Sequence, residues 1–212
     1  MKPIRVMLVE DDPVWLTGIQ DLINQEEDME VVGTAATKTH ALHQFESCHS
    51  DVVILDINLT ENNLDGIELA LDLMDRKEST KIIMMTSLTR EEVIVDSFSA
   101  GVVNYLNKLH FKEIVPAIRD AYHNRSNIHP SAALALRQEF LRLKREEDQN
   151  LLTTSEKEIL QRIHKGETQS EMEKSLFISK RTIKNHINRI LKKMGLKSSK
   201  DAAAIAKKKK MI

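Results

Sequence analysis

The chain has 212 residues, of which 41% are hydrophobic, and a formal net charge of −1. This length suits two modest domains, each able to bury its own core. The single cysteine, Cys48, excludes an internal disulfide and a cysteine-based zinc cage, and it fits a reducing compartment. The N-terminus lacks a signal-peptide core, and no apolar stretch is long enough to span a bilayer. We therefore expect a cytoplasmic protein with no membrane partner.

The small net charge conceals an uneven distribution along the chain. Residues 1–149 carry 15 Lys and Arg against 26 Asp and Glu, whereas residues 150–212 carry 16 against 6. The C-terminal part is therefore basic while the rest is acidic. This division favours a polyanion, most simply nucleic acid, as a partner of the C-terminal part alone, although a solvated basic face would look the same by charge.

The first half of the chain alternates short apolar runs with amphipathic segments. Near-continuous runs of Val, Ile, Leu and Met are typical of strands that are buried on both faces of a parallel sheet. Five such runs occur: IRVMLVE, MEVVGTAA, VVILDI, KIIMMTS and GVVNYLNK. They predict an α/β domain with a five-stranded, parallel, doubly wound, flavodoxin-like sheet.

Strand patterns stop near Arg125, and the rest of the chain predicts helices only. Residues 125–149 begin with polar residues and a proline and continue as a polar connecting helix. Residues 150–212 form short capped helices. The predicted domains are therefore an α/β domain over 1–124, a linker with a connecting helix over 125–149, and an all-α domain over 150–212.

Polar residues follow the predicted strands at their carboxyl ends, where sites form in open parallel sheets. They are Glu10, Asp11 and Asp12 after the first strand, Asp56 after the third, Thr86 at the end of the fourth, and Tyr105 and Lys108 at the fifth. We interpret Asp12 with Pro13 as a helix cap. Clustered carboxylates require a compensating cation, and Mg²⁺ accepts such a ligand set together with phosphate. Asp56 could then act as a carboxylate nucleophile toward phosphorus.

The segments VMLVEDDP, VVILDINL, IIMMTS and NYLNK, in this order and spacing, resemble the receiver domain of two-component response regulators over residues 3–123. The resemblance implies that a sensor histidine kinase phosphorylates Asp56. It also implies that Glu10, Asp11, Asp56 and the backbone carbonyl of Asn58 hold Mg²⁺. Thr86 and Lys108 would bind the phosphoryl group, and Tyr105 would turn inward when Thr86 moves toward it.

One loop departs from the receiver pattern. Thr60 stands where receivers usually have a proline, and Asp65-Gly66 arrives two residues late. The loop is therefore longer and lacks the fixed φ of proline. The rate of dephosphorylation and the docking of the kinase are the properties that this loop would alter.

The same stretch has a rival interpretation. Asp56-x-Asn58-x-Thr60 resembles the DxDxT loop of haloacid-dehalogenase-type phosphatases, but Asn58 cannot serve as their general acid. We therefore prefer the receiver interpretation, in which the protein is not an enzyme.

The C-terminal part predicts a helix-turn-helix. Thr153 with Glu156 forms a capping box, a second helix starts near Thr168, and Ser179 caps a third helix that ends at Gly195. The third helix has a buried stripe of Ile183, Ile187, Ile190 and Met194. Its other face carries cations and carboxamides, which are typical of a helix that contacts DNA in the major groove.

LTTSEKEIL, KGETQSEM, ISKRTIKNHINRILKKMGL and DAAAIA closely resemble the DNA-binding domain of the NarL/FixJ/LuxR family over residues 150–212. The resemblance implies that bases are contacted by Lys184, Asn185 and Asn188, and that the DNA backbone is contacted by Lys180, Thr182, Arg189 and Lys193. The same polar face also carries Arg181 and Lys192. Glu173 departs from the small residue usual in that family. A helical protein-interaction module is the alternative.

Together these features predict a transcriptional regulator that forms a homodimer and binds a promoter once Asp56 is phosphorylated. The alternative is a phosphate-independent DNA-binding regulator with a vestigial receiver.

Overall fold

The computed structural model describes residues 2–60, 64–125 and 128–212. The chain divides into two compact units, the first ending at Gln138 and the second comprising Glu139–Ile212. No helix within the described part of the chain has both the length and the hydropathy that a membrane span requires.

The first unit contains a five-stranded sheet. Its strands are β1 (Ile4–Val9), β2 (Met29–Ala35), β3 (Val52–Leu55), β4 (Lys81–Thr86) and β5 (Asn104–Asn107). They pair in the order β2-β1-β3-β4-β5, and every pairing is parallel. Every residue of the central strand β3 and of the edge strand β5 is buried, as expected where helices cover both faces of a parallel sheet.

Helices cover both faces of the sheet. They are α1 (Pro13–Asn24), α2 (Lys38–Cys48), α3 (Asp65–Arg76), α4 (Glu91–Ser99) and α5 (Ile114–Tyr122). Successive residues of β1 belong to two separate apolar clusters, because side chains alternate along a strand. Val6 and Leu8 pack with residues of α1 and α5, and Met7 and Val9 with residues of α2, α3 and α4. The predicted doubly wound α/β fold is confirmed.

Local signals at the start of α1 behave as predicted. Asp12 is the N-cap, and its side chain accepts hydrogen bonds from the amides of Val14 and Trp15. Pro13 occupies the first helical position, where no amide hydrogen is needed.

A 3₁₀ helix (Lys108–Glu113) follows β5, and a long helix, α6 (Pro130–Asn150), connects to the second unit. Four large apolar side chains of α6 are exposed, namely those of Leu134, Phe140, Leu141 and Leu143, and Leu136 is half-buried. The buried residues of α6 are instead Ala132 and Ala135, which join the core of the first unit. Small side chains there let the backbone of α6 approach that core.

The second unit is entirely helical in its described structure. It comprises the end of α6 and four further helices, α7 (Thr154–His164), α8 (Gln169–Leu176), α9 (Lys180–Met194) and α10 (Ser199–Lys208). Both predicted helix starts are confirmed as capping boxes, at Thr153 with Glu156 and at Thr168 with Glu171. Ser179 caps α9, and Gly195 ends it with φ of +66°. Ile183, Ile187 and Ile190 are buried in one core with Ala202 and Ala203.

Candidate functional sites

Acidic residues meet at the carboxyl ends of β1 and β3. Carboxylate oxygens of Glu10, Asp11 and Asp56 lie within 4.8 Å of one another. Glu10 and Asp56 are buried, at 3% and 6% exposure, whereas Asp11 is exposed. Solvent therefore reaches this group of carboxylates at Asp11, whereas Glu10 and Asp56 lie in the interior of the unit.

Lys108 compensates this negative charge. Its Nζ lies 2.7 Å from Glu10 Oε2 and 2.8 Å from Asp56 Oδ2, and the lysine is itself buried. Burial favours the neutral amine, but hydrogen bonds to Asp56 and Glu10 outweigh it and raise the pKa of Lys108. The ammonium therefore remains charged between the two carboxylates.

Glu10 differs from an exposed carboxyl. Burial raises the pKa of Glu10 to about 7, with the charge of Asp56 acting in the same direction and the Lys108 hydrogen bond opposing both. Its partners are two positive or polar groups, the Lys108 ammonium and the amide of Asp12 at 3.3 Å. The hydrogen bond from Lys108 to Glu10 thus helps to position the lysine.

An aromatic pair, Trp15 and Phe111, adjoins Lys108. The Trp15 ring centroid is 5.3 Å from Lys108 Nζ, and Phe111 contacts Trp15 edge-on with centroids 6.0 Å apart. A cation over an aromatic face is stabilised by the ring quadrupole. Only the tertiary structure brings α1 and the 3₁₀ helix together, so the sequence pattern carried no signal for this contact.

The carboxylate group has the chemistry of a divalent-cation site. Three carboxylates from two strand ends offer hard oxygen ligands, and the exposed Asp11 leaves room for water. Mg²⁺ prefers this combination of a few carboxylates with retained waters. The residues therefore fit a Mg²⁺ ion.

Thr86 and Tyr105 are linked through Leu88. The Leu88 amide donates to Thr86 Oγ1 at 3.4 Å, and the Tyr105 hydroxyl donates to the Leu88 carbonyl at 2.9 Å. Tyr105 is 1% exposed, so its ring already lies inside the unit. Burial strongly raises the pKa of the Tyr105 hydroxyl, which therefore stays protonated and able to donate.

Asp65 and Gly66 join the loop after β3 to the base of the site. Asp65 accepts hydrogen bonds from the Leu59 amide at 2.9 Å and from the Thr60 hydroxyl at 2.9 Å. A Cβ on Gly66 would lie 2.1 Å from the Asp56 carbonyl oxygen, so only glycine fits. The predicted departure in this loop spans residues 60–64, and residues 61–63 lie outside the described residues.

The exposed face of α9 carries most of the predicted DNA contacts. Exposed residues are Lys180, Arg181, Lys184, Asn185, Asn188, Arg189, Lys192 and Lys193, and Thr182 is half-buried. Asp or Glu residues do not occur in α9 itself. The face is therefore uniformly cationic or neutral, as contact with phosphates requires.

Two of these lysines already have acidic partners. Lys193 Nζ lies 2.7 Å from the buried Glu156 carboxylate, which also completes the capping box of α7. Glu173 accepts from the backbone amide of Lys180 at 3.2 Å, and its other oxygen is 3.9 Å from Lys180 Nζ. Glu173 thus satisfies an amide at the start of α9, which explains how a polar side chain is accommodated there.

Comparisons with known proteins identify a family for each of the two domains. The response regulator receiver domain matches residues 6–119, and the luxR family of bacterial regulatory proteins matches residues 150–206. This chain belongs to the LuxR-type response regulators. It is therefore a two-component response regulator with a DNA-binding domain that acts in transcriptional regulation.

Similar proteins cover nearly the whole response regulator. The DNA-binding transcriptional activator DevR/DosR of Mycobacterium tuberculosis is 30% identical over 96% of this chain and 94% of its own. The nitrate/nitrite response regulator NarL of Escherichia coli K12 is 30% identical over 95% of this chain and 94% of its own. The crystal structure of the response regulator ChrA aligns over 100% of both chains with a TM-score of 0.51 and 26% identity.

Proposed function

We propose that Asp56 is the phosphoacceptor of this response regulator and that its phosphorylation controls DNA binding. The observation that carries the proposal is the position of Lys108, whose buried ammonium contacts Asp56 directly. A fixed cation at the accepting carboxylate favours the approach of an anionic phosphoryl group. Thr86 and Lys108 would bind the oxygens of the phosphoryl group.

The reaction requires one displacement at phosphorus. A carboxylate oxygen of Asp56 forms a P–O bond, while the bond from phosphorus to the donor breaks and the donor keeps the electron pair. The donor is a phosphohistidine of a sensor kinase or a small acyl phosphate. Mg²⁺ would be held by Glu10, Asp11, Asp56 and the Asn58 carbonyl, and it would supply positive charge toward the phosphoryl oxygens. Asp56 Oδ1 is oriented by the Ile57 amide at 2.7 Å.

The switch would run through the segment that contains Leu88. A phosphoryl group on Asp56 recruits the Thr86 hydroxyl. Thr86 accepts a hydrogen bond from the Leu88 amide, and Tyr105 donates one to the Leu88 carbonyl. Movement of Thr86 therefore changes the position of Leu88 and the start of α4. We propose that this change promotes homodimerisation and binding of the paired domains to promoter DNA.

DNA recognition is assigned to α9. Lys184, Asn185 and Asn188 would contact base edges, and Arg181 and Lys192 lie on the same exposed face. Lys180, Thr182, Arg189 and Lys193 would contact the phosphate backbone. We place the receiver domain at 1–124, the linker at 125–149 and the DNA-binding domain at 150–212, in a cytoplasmic protein that performs no catalysis beyond its own phosphoryl transfer.

The direct test is to incubate the full chain with acetyl phosphate and Mg²⁺ and to measure its mass. We expect one added phosphoryl group in the wild type and in Asp75→Asn, an exposed aspartate of α3, and none in Asp56→Asn. Equal phosphorylation of Asp56→Asn would reject the assignment. Steady release of phosphate from simple phosphomonoesters would support the phosphatase alternative instead.

A further inference from the structure

A second group of metal-ligating side chains lies away from the acidic site. The side chains of His110, Glu113 and His129 offer ligand atoms that all lie within 4.8 Å of one another. Among the described residues, this group and the acidic one are the two that bring three such side chains together. The two groups differ in chemistry, because one offers only oxygen and the other offers two imidazoles and one carboxylate.

The distances within this group suit a small transition-metal ion. His129 Nε2 is 3.3 Å from Glu113 Oε2, and His110 Nδ1 is 3.8 Å from Glu113 Oε1. Zn²⁺ binds imidazole nitrogen at about 2.0–2.1 Å and carboxylate oxygen at about 2.0–2.2 Å, so neighbouring tetrahedral ligands lie about 3.3 Å apart. The His110 and Glu113 side chains are about half exposed, so they are free to close the remaining gap.

The backbone holds the three ligands in place from two directions. His110 and Glu113 belong to the 3₁₀ helix, whose start is capped by Asn107 accepting from the Leu109 amide at 2.9 Å. The amide of His129 donates to the side chain of the buried Asn104 at 3.3 Å, and Asn104 lies on β5. The strand that leads into the 3₁₀ helix therefore also positions His129, directly before α6.

We propose that His110, Glu113 and His129 form a Zn²⁺ site with three protein ligands and a fourth position open to water. Two imidazoles with one carboxylate are a ligand set that zinc uses and that Mg²⁺ does not favour. Occupancy ties the 3₁₀ helix that begins at Lys108 to the first turn of α6. None of its ligands belongs to the acidic group.

Zinc affinity of the full chain tests this site directly. The protein carries no histidine tag, millimolar Mg²⁺ occupies the acidic group, and a chromophoric chelator competes for Zn²⁺. We expect one tight site in the wild type. Removing a partner that only orients a ligand already costs about 10- to 100-fold in metal affinity. Loss of a ligand should therefore weaken binding at least tenfold in His110→Ala, His129→Ala and Glu113→Gln.

The matched control removes two histidines elsewhere. His40 and His43 are exposed on α2 and stand three residues apart, as His110 and Glu113 do. The double variant His40→Ala, His43→Ala should keep wild-type Zn²⁺ affinity, and so should Asp56→Asn. Circular dichroism of each variant checks that the fold is retained.

Two further readouts separate a built site from loose surface binding. Co²⁺ in place of Zn²⁺ should give visible absorption of a four-coordinate ion in the wild type and lose it in His129→Ala. Zn²⁺ should also slow amide exchange in the first turn of α6. Equal zinc affinity in all variants, or a loss confined to the His40 and His43 variant, would overturn the proposal.

Discussion

The buried ammonium of Lys108 lies 2.8 Å from Asp56 Oδ2 and 2.7 Å from Glu10 Oε2, so one cation is shared by two carboxylates. Removing it leaves buried negative charge without a partner, which typically costs 3–5 kcal/mol. We expect Lys108→Met to lower the free energy of unfolding by about 3 kcal/mol in chelator-treated buffer. Urea denaturation measures this loss.

Mg²⁺ provides a second arm of the same experiment. Because the ion would replace the missing charge, adding it should stabilise Lys108→Met more than the wild type, in which Lys108 competes for the carboxylates. Lys112→Met, an exposed lysine of the same 3₁₀ helix, is the matched control and should change little. An unfolding midpoint for Lys108→Met equal to that of the control would show that the lysine does not compensate the site.

Gly66 supports the floor of the site through close backbone contact. A Cβ there would meet the Asp56 carbonyl oxygen at 2.1 Å and the Ile57 Cα at 2.6 Å. Forcing the backbone apart costs about 1–3 kcal/mol, so Gly66→Ala should unfold at lower urea and accept phosphate more slowly. In Gly18→Ala the new Cβ meets nothing within 4 Å on helix α1, and this control should be neutral or more stable. Equal destabilisation of both variants would contradict the contact.

Tyr105 should couple the site to α4 through its hydroxyl. Tyr105→Phe removes the hydrogen bond to the Leu88 carbonyl while keeping the buried ring, and we expect a loss of about 1 kcal/mol in stability. The variant should still be phosphorylated, but phosphorylation should raise its DNA affinity less than it raises that of the wild type. Tyr122→Phe, a partly exposed tyrosine of α5, is the control. An unchanged response in Tyr105→Phe would exclude this hydroxyl from the switch.

The two classes of residue on α9 predict different DNA phenotypes. Lys184→Ala and Asn188→Ala should each reduce discrimination between a selected operator and random DNA by about 1–3 kcal/mol. Lys200→Ala, on α10, should leave discrimination unchanged. Gel-shift titrations against a site selected from a random library by the wild-type protein provide the measurement. Unaltered discrimination in both α9 variants would reject their assignment to base edges.

Glu156 makes the stability of α7 depend on pH. Burial raises the pKa of Glu156, but the Lys193 ammonium and the Thr153 amide outweigh burial and leave the pKa below its ordinary value of 4.5. The ionised carboxylate therefore stabilises the fold above about pH 4.5, and this contribution disappears as the pH falls through the lower folded pKa.

Glu156→Gln removes that pH dependence. Amide exchange of α7 should be faster in this variant than in the wild type at pH 7, and the ratio of the two rates should approach one as the pH falls below 4.5. Glu158→Gln, whose side chain is half exposed, should show no such convergence. A rate ratio that stays constant with pH would mean that the ion pair with Lys193 contributes nothing.

The fold was predictable because its signals are local. Near-continuous apolar runs mark strands that are covered on both faces, and Asp12, Thr153 and Ser179 mark helix starts through hydrogen bonds within one turn. In α6, which the sequence predicts only as a polar connecting helix, the core uses Ala132 and Ala135. Which face of a polar helix is buried depends on the elements that pack against it, and the sequence of the helix alone does not reveal those elements.

Long-range partners were the part that the sequence did not predict. Three contacts join segments that only the tertiary structure brings together. They are the contact of Trp15 with Lys108, the ion pair of Glu156 with Lys193, and the close approach of Gly66 to Asp56. In the His110 group, His110 and Glu113 stand three residues apart in the 3₁₀ helix. The third ligand, His129, follows 16 residues after Glu113 and reaches the pair only through the fold.

The central claim is that the state of Asp56 sets the affinity for DNA. The most direct measurement is the operator affinity and oligomeric state of the wild type and Asp56→Asn, each with and without beryllofluoride. We predict that beryllofluoride raises dimerisation and operator affinity in the wild type and changes neither in Asp56→Asn. Equal operator affinity in all four states would contradict phosphorylation control and would favour a phosphate-independent regulator.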